Sequence, residues 1–147
     1  INQKLANAIN NIGKFLKFQI MDKTETIVQL KKLLASKKAA DLLKALKKLQ
    51  RNYFPEFGNT VVDIFEERYK RNISWEVQVE AIKTIGKQHL VKALPLLEQI
   101  VKKNMEHDMV TMEAAAAYFR IVRLNMRDVS PIIKSFGNIG FNFVEVQ

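Results

Sequence analysis

The chain contains no cysteine, which excludes disulfides, thiolate nucleophiles and cysteine-ligated metals together. Glycine and proline are sparse, five and three in 147 residues, and so few breakers favour long helices over a many-stranded sheet. No apolar run approaches the roughly 20 residues that cross a bilayer, so no integral membrane association is expected. No charged-then-apolar leader opens the chain. The two histidines, His89 and His107, lack the paired spacing of helical zinc sites. Glycine-rich phosphate loops and the Gly-x-Ser-x-Gly elbow are also missing. Composition therefore predicts a non-enzymatic protein with no cofactor and no metal, in a cytoplasmic setting. The chain starts at Ile1 without a Met, which suggests a fragment with room for further repeats beyond it.

Positive charge is what the chain has in excess. Lys and Arg number 24 against 15 acids, a net +9. Residues 1–54 hold twelve of the basic residues and only Asp22, Glu25 and Asp41 as acids, so the whole excess belongs to the first third. Such an imbalance bears on association with anionic partners, not on fold.

Apolar residues at helical spacing predict a first helix over Asn2–Ile20, with Leu5, Ile9, Ile12, Leu16 and Ile20 in one stripe widened by Phe15 and Phe18. A membrane-surface helix fits the same pattern, but a helix capping the core is the stronger reading. Met21–Lys23 reads as a link, and Thr24 as the cap of a second helix to Ser36 with Ile27, Leu30, Leu33 and Leu34 inward. A third helix spans Lys37–Tyr53 and a fourth Thr60–Arg71, stopped by Asn72. Ser74 caps a fifth from Trp75 to Gln88, and a sixth runs Val91–Lys103 with Pro95 in its first turn. The fifth and sixth read as folded back on each other, with Trp75 packed against the preceding unit. Asp108 caps a seventh, Met109–Leu124, whose apolar residues go nearly all round and predict a sandwiched helix. A short eighth, Pro131–Phe136, closes a single domain over 1–137, followed by an extended tail, Asn138–Gln147.

The segments repeat. Ile64-Phe65-Glu66 through Asn72 matches Leu96-Leu97-Glu98 through Asn104 at an offset of 32, and Val79-Glu80-Ala81 matches Met112-Glu113-Ala114 at an offset of 33. That period, joined to paired helices, predicts stacked helical hairpins. Val79-Glu80-Ala81-Ile82, Ile85-Gly86-Lys87 and Ala93-Leu94-Pro95-Leu96-Leu97, echoed by Met112-Glu113-Ala114-Ala115 and Ser130-Pro131-Ile132-Ile133, resemble the HEAT-like helical repeat family in its short bacterial form. The resemblance is good over residues 74–136 and implies an all-α right-handed α-solenoid of about four stacked hairpins. It also implies a concave wall, built from the second helix of each pair, as the partner surface.

Two functional readings follow. The first is a protein-protein interaction or scaffold module. The second is nucleic-acid binding through Lys31, Lys32, Lys44, Lys47, Lys48 and Arg51, which lie off the apolar stripes on adjacent helices and could contact phosphates. Few aromatics interleave these lysines, so base stacking is not signalled. The protein-binding reading is the stronger one, because basic faces steer many kinds of partner.

Overall fold

The computed structural model describes residues 2–103, 105–125, 127 and 130. It contains six α-helices and no strand among them: α1 Asn2–Leu34, α2 Ala39–Arg51, α3 Gly58–Arg71, α4 Trp75–Lys87, α5 Leu94–Lys103 and α6 Met109–Val122. The all-α expectation is met. The expected eighth helix and the C-terminal tail lie outside the described residues.

Three helical hairpins follow one another: α1 on α2, α3 on α4, α5 on α6. The second helices also touch in a row, α2 against α4 and α4 against α6, while α4 and α5 are not a packed pair. The pairing expected from the sequence, fifth helix on sixth, is therefore shifted by one. The link from α4 to α5 is a crossover through a 3₁₀ turn, Val91–Ala93, between hairpins instead of within one.

Helix α1 departs most from expectation. Nothing in Met21–Lys23 breaks a helix, so the first two predicted helices are one of 33 residues. Thr24 is not a cap. Its hydroxyl donates to the Ile20 carbonyl at 2.9 Å, the bond of a mid-helix threonine. Only the last turns of α1 join the core, through buried Leu30 and Leu34 and partly buried Ile27 and Leu33. A side chain at Gly13 would meet nothing within 4 Å.

The helix ends are set by identifiable groups. After α1, the Ser36 hydroxyl accepts from the Lys38 N–H and donates to Asp41 at 2.6 Å, which turns the chain into α2. Asn72 ends α3 in the left-handed conformation, φ 51°, the conformation asparagine tolerates. Ser74 shares that conformation and does not cap α4. Its hydroxyl instead accepts from Arg68 Nη1 at 2.9 Å, and Arg68 Nη2 reaches the Lys37 carbonyl at 3.1 Å. One guanidinium thus ties the α1–α2 link to the α3–α4 link. Asp108 caps α6 as expected, accepting from the N–H and hydroxyl of Thr111 at 2.9 and 2.7 Å.

The core runs through all three hairpins, with Leu46, Leu49, Phe65, Ile82, Ile85 and Leu97 among its buried members. Helix α4 is its axis, with Val77, Val79, Ala81, Ile82, Ile85 and Gly86 all buried. Side-chain bonds stitch it to α2: Thr84 Oγ1 to the Leu46 carbonyl at 3.4 Å and Gln88 Nε2 to the Leu49 carbonyl at 3.0 Å. On its other side α4 meets α6 closely enough that a Cβ at Gly86 would stand 3.0 Å from Ala117 Cα and Cβ. Helix α6 lies against both α4 and α5, although its Met109 and Met112 remain exposed.

These contacts set two expectations for stability. Replacing Gly86 by Leu forces α4 and α6 apart and should cost about 1–3 kcal/mol, read as a lower midpoint in thermal or urea denaturation. Asp108→Ala should cost about 1 kcal/mol through the lost cap, and Asp108→Asn should recover most of it.

Candidate functional site

Helix α2 carries four of the six basic residues singled out from the sequence. Its buried side is Leu42, Ala45, Leu46 and Leu49. Lys44, Lys47, Lys48 and Arg51 recur at the complementary spacing and form one solvent face, with Lys48 half-buried and the others exposed. Lys31 and Lys32 are exposed on the last turn of α1, about 100° and 200° round that helix from buried Leu30. The basic cluster is therefore centred on α2, with Lys31 and Lys32 on the neighbouring helix. None of the six takes an ion pair among the described residues.

The α2 face borders a wall formed by the exposed sides of α2, α4 and α6. Gln50 Nε2 on α2 donates to the backbone carbonyl and the carboxylate of Glu80 on α4, at 3.2 and 2.7 Å. Lys83 lies 3.6 Å from Glu80 and 4.0 Å from Glu113 on α6. The carboxylates of the wall's centre are thus occupied by neighbours. Next to them a groove of about 380 Å³ is lined by Gln50, Lys83, Lys87, Met109, Met112, Glu113, Ala116 and Arg120. Two methionines together with Lys83, Lys87 and Arg120 in one lining suit an anionic ligand with an apolar anchor. The sequence reading missed this groove, although Lys83 and Lys87 stand off the α4 stripe at helical spacing. The missing signal was which helix neighbours which: Gln50, Lys83 and Arg120 converge only once α2, α4 and α6 form a row.

Helix α5 carries a smaller charged group. Lys102 and Glu98 meet at 2.8 Å, and that hydrogen bond and charge raise the Lys102 pKa. Burial, then the Glu98 charge, pushes the Tyr118 phenol up. Both shifts hold Lys102 protonated and Tyr118 neutral near pH 7, so neither group is signalled as an acid or base. His89 and His107 are exposed turn residues with positive φ, 53° and 55°. Among the described residues no three His, Asp or Glu side chains could hold a metal, and no helix is long and apolar enough to cross a membrane.

Trp75 was expected to pack against the preceding unit. It stands 55% exposed at the first position of α4, because the buried stripe begins at Val77. As the sole tryptophan it should emit as a solvated indole and be quenched readily by iodide; a blue-shifted, protected emission would contradict this exposure.

No protein-family model, no curated protein and no solved structure matches this chain.

Proposed function

We propose that the chain is a non-enzymatic interaction module, a HEAT-like stack of helical hairpins that receives another protein on the wall of α2, α4 and α6. The observation that carries this reading is the groove at Met109, Met112 and Arg120, beside an α2 face whose cations take no ion pair among the described residues. Adaptable thioethers accept varied apolar anchors, and a basic surround raises the encounter rate of acidic partners. The partner chemistry is therefore an acidic segment carrying an apolar residue. Support for the stack comes from successive hairpins whose second helices begin at Ala39, Trp75 and Met109 and touch in order. In this reading the step repeats as a right-handed α-solenoid with the second helices along its inner wall.

A second reading rests on the α2 face alone. Lys44, Lys47, Lys48 and Arg51, with Lys31 and Lys32 on the neighbouring helix, take no ion pair among the described residues and can contact duplex phosphates. Fluorescence anisotropy at rising salt separates the two. An acidic peptide with a central Leu should bind, and Met112→Asp with Arg120→Glu should weaken it at least about tenfold, or ~1.4 kcal/mol. A generic duplex should bind weakly if at all. Strong duplex binding that Lys44→Glu, Lys48→Glu and Arg51→Glu together abolish would put the second reading first. Indifference of both ligands to both sets of substitutions would remove this wall as the site.

A further inference from the structure

Most of α1 stands clear of the hairpins. Every residue from Asn2 to Glu25 is exposed, yet Leu5, Ile9, Ile12, Phe15, Leu16 and Ile20 share one face and are each 53–66% exposed. This arm is about 35 Å long at 1.5 Å per residue. We propose that its apolar stripe pairs antiparallel with the same stripe of a second copy of the chain, about a two-fold axis between Ile9 and Ile12. The proposal is independent of the α2–α4–α6 wall.

The spacing itself carries the choice of occupant. From Leu5 through Ile9 and Ile12 to Leu16 the steps are four, three and four residues, the same in either direction. An antiparallel copy therefore sets Leu5 against Leu16 and Ile9 against Ile12, and each layer recurs across the axis. This is the self-complementary contact that two-fold symmetry requires, with the seam spacing of a coiled coil. Asn2 and Gln19 close the ends. Phe15, on one edge of the stripe, lies beside the small Ala8 of the second copy.

Charge and size agree. No lysine falls within the stripe between Leu5 and Ile20, and antiparallel pairing puts the two Lys4 residues at opposite ends of the seam. Leu5, Ile9, Ile12, Phe15 and Leu16 from each copy can cover on the order of 1,000 Å², the lower bound for a specific interface. A lipid surface suits the arm less well. Along the stripe, from Asn2 to Ile20, its polar face carries Gln3, Asn7, Asn10 and Asn11 and only Lys4, Lys14 and Lys17 as cations, whereas interfacial helices carry Lys-rich polar faces. The hairpins do not compete for the seam either. Their share of α1 begins at Ile27, beyond the polar interval of Asp22 and Lys23, so the two bundles sit at opposite ends of the paired arms.

Sedimentation equilibrium of the whole chain should give a dimer at micromolar concentration. Ile9→Asp with Ile12→Asp should raise the dissociation constant at least about 100-fold by placing charges in the seam, while urea denaturation of the bundle stays unchanged. The chain has no cysteine, so single cysteines report the direction. A mixture of the Leu5→Cys and Leu16→Cys variants should form the mixed disulfide under mild oxidation, and Leu5→Cys alone should not. A wild-type monomer overturns the proposal, whether the arm is then covered by its own chain, as hydrogen exchange would reveal, or sediments with phosphatidylserine vesicles. Same-site cross-linking of Leu5→Cys, or a dimer indifferent to the two aspartates, overturns it equally.

Discussion

The close crossing of α4 and α6 is the constraint on which the rest of the molecule depends. Gly86 and Ala117 let the two backbones approach until a single added carbon would touch Ala117 at 3.0 Å. Because α4 is held there, its other side falls against α2, where Thr84 and Gln88 donate to backbone carbonyls of that helix. Those bonds fix direction as well as distance, since a side-chain amide meets a particular carbonyl only in one register. The wall of α2, α4 and α6 inherits this register. Lys83 reaches Glu80 and Glu113 together only because α4 lies between its neighbours at close range.

Much of this was legible from residue spacing, and the errors have physical causes. The helices of residues 39–122 were found because their buried stripes recur every three or four residues and Asn72 and Asp108 mark true boundaries. The offset matching 64–72 to 96–104 and 79–81 to 112–114 also aligned α3 with α5 and α4 with α6, the correspondence of the fold. The pairing nevertheless came out one helix late. A stripe records that a helix buries one side but not which neighbour buries it, and α4 is buried on several sides at once. Trp75 was misjudged for a related reason: its size suggests burial, but its place ahead of the first inward residue, Val77, decides its exposure.

The α1 error is of another kind. Asp22 and Lys23 interrupt the apolar stripe, and the interruption reads as a link. An interrupted stripe is a change in what the helix can bury, whereas a broken helix needs a backbone that cannot continue. With neither glycine nor proline between Lys14 and Pro55, the backbone continues through the polar interval. One helix then serves two environments: Leu30 and Leu34 complete the hairpin core, and Leu5 to Ile20 keep the same kind of face in the open.

The candidate site was half legible. The cations of α2 declare themselves by falling opposite Leu42, Leu46 and Leu49, but the groove beside them is a property of three helices together. Its separation from the lysines of the α1 arm also bears on how it works. At physiological ionic strength fields between exposed charges fade over about 8 Å. The lysines of the α1 arm therefore contribute little to what is felt at Arg120, across α2 and α4. The excess charge acts locally, and the part of it nearest the wall is the exposed face of α2. A partner on the wall meets that face and the methionine groove as one surface, because α2 and α6 both border α4. A partner of the arm meets an apolar stripe with almost no charge along it. The two surfaces therefore differ in the force that drives association, and salt should weaken the first while leaving the second nearly unchanged.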